Sequence, residues 1–151
     1  MSLPATTRLR RRVLGSVVAV LAQTGIGMVV NLYTKIPADH PGANPSNYLA
    51  GSARSVGWAI SHGTVALAIH ATLGLVVVLL AIIVAVSALR GTSRALKIWL
   101  ILAAGLVIGA GFNGASFLDF NQSTSSLLMA LLALGSVACY SIALFSLAVV
   151  A

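Results

Sequence analysis

Four apolar runs, Val13 to Tyr33, Val65 to Leu89, Ile98 to Leu118 and Leu127 to Ala151, fill most of the 151 residues, and nearly every charge falls between them. Each run is near or above the roughly 20 residues that cross about 30 Å of hydrocarbon at 1.5 Å per residue. With 59% hydrophobic and only 7% charged residues, a chain of this size cannot hide its apolar surface in a soluble globule. The expected fold is therefore all-α, an integral membrane bundle of four transmembrane helices in a single membrane domain over 1–151. Its helices are expected at about 13–33, 62–89, 97–118 and 125–150, with an outer loop over 34–60.

The net charge of +7 would suggest nucleic acid in a soluble chain, but topology accounts for it here. Arg8, Arg10, Arg11 and Arg12 precede the first helix and Arg90, Arg94 and Lys97 join the second to the third, while Lys35 and Arg54 alone are basic on the other side. Cytoplasmic loops carry the Lys and Arg excess, so both termini are expected to be cytoplasmic and the first partner is the lipid bilayer. The arginine run lacks interleaved aromatics, and no nucleic acid is expected. Trp99 near the inner boundary, and Tyr33, Tyr48 and Trp58 near the outer one, agree with that orientation. The expected location is a cell membrane crossed several times, taken as the inner membrane of a bacterium. The Arg-rich start followed by Val13 to Ala22 has the form of a signal peptide, yet the apolar run continues through Leu32, which favours a retained helix. The single cysteine, Cys139, excludes an intrachain disulfide.

Measured from Arg90 at the helical rise, His70 lies about 30 Å up, Asn31 about 28 Å above Arg12, and Asn113 about 24 Å above Lys97. Polar side chains in membrane helices face the bundle interior or a wet cavity, so Asn31, His70 and Asn113 are expected to line one outward-opening pocket. Asp119, Lys35 and His62 would sit above them. The competing role for each Asn is interhelical hydrogen bonding, worth about 0.6 to 2 kcal/mol. In the inner half only Gln23, Thr24, Ser87, Ser136, Tyr140 and Ser141 interrupt aliphatic residues, which argues against a polar path through one protomer.

The pattern G-x-x-x-N recurs at Gly27/Asn31 and Gly109/Asn113, an offset of 82, and suggests two helical hairpins in a 2+2 parallel repeat. Laying the fourth helix over the second makes Met129 the counterpart of His70. Imidazole and thioether together ligate haem, and they also suit copper; the alternative for Met129 is ordinary packing. Gly105 and Gly109, in G-x-x-x-G spacing, offer a close-packing face within the bundle or between copies in a homo-oligomer. In the outer segment Pro37, Pro41 and Pro45 exclude a regular helix. Asp39 and His40 there read as a solvated turn rather than metal ligands, and Ser46 to Ser61 as a short interfacial helix.

The stretch from Leu21-Ala22-Gln23 through Gly27 and Asn31 to His62, His70 and Gly74, residues 21–75, resembles a helical hairpin of the haem A synthase and b-type cytochrome membrane bundles. The resemblance implies a haem-ligating His near the outer surface. The chain departs from those bundles in having no second His on a facing helix and no paired loop cysteines. His62 and His70, eight residues apart on one expected helix, cannot flank one haem, which leaves a single-His or His/Met site.

The leading functional expectation is thus an outward-facing site for haem b or copper, serving electron transfer or cofactor handling. His70 would be the ligand, Met129 or Met28 its partner, Asn31 and Asn113 orienting donors, and His62 a neighbour. An oligomeric small-solute transporter or channel, and an accessory or assembly subunit of a larger membrane complex, are the alternatives. An enzyme reading is weakest, because two acids, three histidines and one cysteine assemble no Ser/His/Asp or dimetal carboxylate set.

Overall fold

The computed structural model describes residues 3–90 and 92–149. These form five α-helices and no strands: α1 Leu3–Tyr33, α2 Tyr48–His62, α3 Val65–Leu89, α4 Arg94–Phe120 and α5 Ser123–Val149. Four of them, α1, α3, α4 and α5, are long and apolar enough to cross a membrane. Their large apolar side chains are exposed along the whole bundle, among them Leu14, Val18, Leu75, Leu79, Ile101, Leu131 and Phe145, as befits surfaces solvated by lipid rather than water.

The second helix does not begin at residue 62, and of the outer segment only the part before Tyr48 is loop, the rest being a short helix as expected over Ser46 to Ser61. Gly63 is extended, and the Thr64 hydroxyl accepts the amide of Leu67, so a fresh helix starts at Val65. The fifteen residues before the break form α2, started by the Asn47 carboxamide, which accepts the amide of Ala50 at 3.0 Å. His62 therefore ends α2 and does not share a helix with His70. The first helix also starts earlier than the apolar run, at Leu3, and carries its arginines on regular helix.

The four long helices close a ring in the order α1, α3, α4, α5 and back to α1, with α1 across from α4 and α3 across from α5. Short links at residues 90–93 and 121–122 force α3, α4 and α5 to alternate in direction. Antiparallel pairing of α1 with α3 is fixed by contacts along its length: Arg12 reaches Ser87 at one end, and Thr34 reaches Thr64 at the other. Inside the ring, Val13, Val20, Val84, Leu100, Ala103, Tyr140 and Ala143 form the main buried cluster. A second cluster closes the end remote from Arg12 and Arg90, where Ala59 of α2 is fully buried with Val30, Leu67 and Leu118. The helix α2 packs on α3 and α4 and is a cap on the bundle.

Candidate functional site

The polar centre of the α1–α3 seam is built from two matched pairs, Gln23 with Gly27 on α1 and His70 with Gly74 on α3. Residues four apart lie on one helix face, and the helices are antiparallel, so each polar side chain meets the other helix's glycine. A Cβ on Gly27 would stand 2.8 Å from His70 Cε1, and one on Gly74 would stand 3.0 Å from Gln23 Nε2. The Gln23 amide nitrogen donates to the His70 backbone oxygen at 3.0 Å and lies 3.3 Å from His70 Nε2. Buried Gln23 Oε1 and His70 Nδ1 have no hydrogen-bond partner among the described residues. An unmet acceptor and an unmet ring nitrogen thus sit on two contacting side chains.

This packing gives a direct test. Gly27→Ala is expected to destabilise the protein by about 1 to 2 kcal/mol in a detergent melt, the crowding of His70 outweighing the roughly 1 kcal/mol by which Ala surpasses Gly in a helix. Gly25→Ala, whose Cβ would meet nothing within 4 Å, is expected to raise the melting temperature instead.

The other residues singled out in the sequence go elsewhere. Asn31 accepts the Ser126 hydroxyl from α5 at 3.2 Å, and Asn113 donates back to Gly109 O of its own helix at 2.9 Å. His70 lies level with Gly27, one turn toward the basic end from Asn31. The three groups therefore bond to different neighbours. Met129 packs its sulfur on Gly114 of α4, and Met28 is exposed on the outside of α1. Since α5 and α3 stand across the ring, His70 and Met129 belong to non-adjacent helices. His62 is exposed at the end of α2, bonded to Ser61, and lines an open depression of about 420 Å³ with Pro41, Arg54 and Trp58. Gly109 lies against Leu132 of α5, while the space above Gly105 is open. Among the described residues no three His, Cys, Asp or Glu side chains gather into a metal-binding group.

The cap holds the functional-looking chemistry that the sequence did not reveal. His40, expected in a solvated turn with Asp39, is buried, while Asp39 is exposed. Its ring stacks on Trp58 with centroids 4.5 Å apart and planes at 17°. Its Nδ1 lies 3.1 Å from Pro41 O and its Nε2 3.0 Å from Leu118 O. Both partners are carbonyl oxygens, which only accept, so whichever ring nitrogen carries the hydrogen finds an acceptor beside it. Asp119 is also buried: its Oδ2 accepts the Ser52 hydroxyl at 2.7 Å, and its backbone oxygen accepts the Asn44 amide at 2.9 Å. The Tyr48 hydroxyl donates to Phe112 O and lies 2.9 Å from the Ser116 hydroxyl. These contacts clamp the loop and α2 to the stretch Phe112 to Asp119 near the end of α4. The only sequence signal for this clamp was the unusual length and proline content of the segment.

The chain has no significant match among protein-family models, curated proteins or solved structures.

Proposed function

We propose that this protein is an accessory subunit of a larger membrane complex, a lipid-embedded scaffold whose capped end offers a fixed surface to a partner outside the cytoplasm. The orientation rests on the seven basic residues at the uncapped end, an excess that supports cytoplasmic termini. The carrying observation is how polar groups are spent. In the membrane-spanning helices Thr24, Ser136, Ser141 and Ser146 bond back to carbonyls of their own helices, and Asn31 bonds to Ser126. The bonds within a helix use up polar groups that could line a path for solutes, and the Asn31–Ser126 bond ties α1 to α5, which disfavours the transporter alternative. In the cap His40, Tyr48 and Ser52 are likewise committed to internal bonds, while Ser55 Oγ and Asp119 Oδ1 are buried without a partner among the described residues. A 2+2 repeat gains support from Gly27 and Gly109, each of which meets the second helix of its own hairpin, at His70 and Leu132. The test is the size of the complex extracted in mild detergent. A defined assembly larger than the protomer, with a second polypeptide in fixed ratio, is expected by native mass spectrometry; a monodisperse protomer would overturn the reading.

A ligand at His70 is the second reading, favoured by the two unpartnered atoms His70 Nδ1 and Gln23 Oε1. A haem held between His70 and Met129 does not fit, because the imidazole is wedged on Gly27 with Gln23 against Nε2. One imidazole is also too few donors for a copper site. A small polar molecule or water bridging the two free atoms suits them better. A Soret band or stoichiometric copper in the purified protein would restore the cofactor reading.

A further inference from the structure

One side of α2 borders the open depression of about 420 Å³ lined by Pro41, Arg54, Trp58, Ser61 and His62. We propose that this depression is where the partner subunit docks, and that the partner brings a carboxylate to Arg54 with an apolar side chain beside it. This rests on the accessory-subunit reading and names the chemistry of its contact.

The first support is charge. Arg54 is exposed and makes no hydrogen bond or ion pair with the described residues. The helix α2 contains no acidic residue, and the whole chain has two. Asp119 is buried with the Ser52 hydroxyl on its Oδ2, and Asp39 does not line the depression. Among the described residues nothing therefore answers the guanidinium, whose paired N–H groups match the two oxygens of a carboxylate.

The second support is preorganisation. Arg54, Trp58 and Ser61 are four and three residues apart and share one side of α2. The buried His40 ring, set between two carbonyl oxygens, stacks on Trp58 and fixes the indole before a partner arrives. The Ser61 hydroxyl donates to Gly57 O at 2.7 Å and lies 2.7 Å from His62 Nδ1, which holds the second ring. Side chains already ordered lose little entropy on binding, and Trp and Arg are the residues that most often carry the energy of a protein interface. The third support is direction. The large apolar side chains that α2 leaves exposed, Leu49 and Ile60, lie roughly 120 to 140° round the helix from Arg54. A phospholipid with its phosphate on Arg54 would have its chains on the wrong side of α2 to meet them. A polypeptide needs only Arg54 for its carboxylate and the Trp58 and Pro41 rings for its apolar side chain.

The test uses the full chain in the complex extracted in mild detergent. Native mass spectrometry reads the second polypeptide, and p-benzoylphenylalanine in place of Gly57, an open position beside Arg54 and Ser61 on α2, maps the contact by photo-crosslinking. Crosslinks are expected to a segment of the second polypeptide that carries Asp or Glu. Arg54→Glu should weaken retention of that polypeptide by about tenfold or more, as for a hot-spot arginine, with the melting temperature of the protomer unchanged. Arg54→Lys keeps the charge but loses the fork, and should weaken retention partway. Exchanging the crosslinked acid for Lys should restore retention to Arg54→Glu. Lys35→Glu makes the same change of charge at an exposed position of the same end and should leave retention intact. Full retention in Arg54→Glu would overturn the docking site and leave the accessory-subunit reading standing, whereas a parent protein without any second polypeptide would overturn both. Equal loss in Lys35→Glu would reduce the effect to general attraction and overturn the site. Crosslinks to phospholipid alone would overturn the polypeptide assignment.

Discussion

Replacing Gly42 by alanine is expected to release the cap while leaving the four-helix ring folded. Gly42 has φ +99°, a region that side chains rarely adopt, and a Cβ there would stand 2.6 Å from Gly51 O and from Ser55 N. Backbone atoms cannot step aside. Overpacking costs about 1 to 3 kcal/mol and backbone strain about as much again, so the cap should lose about 4 kcal/mol. Because each 1.4 kcal/mol is tenfold, opening of the segment should rise by roughly two to three orders of magnitude. Limited proteolysis of the protein in detergent, with cleavage mapped to residues 34–47, measures it. Gly57→Ala is the matched control: its Cβ meets nothing, and cleavage should be unchanged or slower. Cleavage at the parent rate in Gly42→Ala would show that the loop does not rest on α2 as described.

His40→Ala should act on the same cap through lost bonds. The substitution removes the Trp58 stack and strips Leu118 O of its donor in a buried place. An unsatisfied buried group costs about 1 to 3 kcal/mol and an aromatic pair about 0.5 to 1.5, for a total of about 3 kcal/mol. Trp58 emission should shift to longer wavelength as its face is wetted, and the melting temperature should fall. His62→Ala, at an exposed site one helix turn from Trp58, should do neither. A variant at position 40 that keeps the parent emission and melting temperature would mean the ring is solvated after all.

The membrane helices were legible because their signal is the length of uninterrupted apolar sequence, which bilayer thickness fixes without reference to tertiary contacts. The depth argument for Asn31, His70 and Asn113 was less secure, since it took Arg12 and Arg90 as markers of one plane. Arg12 lies ten residues into α1, so the two helices are offset and His70 meets Gly27 rather than Asn31. A better signal was present. Gln-x-x-x-Gly at 23–27 and His-x-x-x-Gly at 70–74 are complementary once the helices run antiparallel, and recognising this needs the pairing as well as each motif. The G-x-x-x-G face was half explained: Gly109 receives Leu132, as Gly135 receives Leu106, within the α4–α5 pair. His40 was out of reach, because its neighbours Trp58 and Leu118 are 18 and 78 residues away and nothing local distinguishes a buried loop histidine from a wet one.

The clamp on α4 also dictates an order of events. Residues 34–62 leave the ribosome well before Phe112, Ser116, Leu118 and Asp119, which hold them down, so the first hairpin forms with the segment that joins its two long helices unfastened. Until the third crossing is made, the imidazole of His40 and the hydroxyl of Ser52 have no Leu118 carbonyl or Asp119 carboxylate to meet. A part synthesised early is thereby finished late, and its fastening reports that the third crossing has been made.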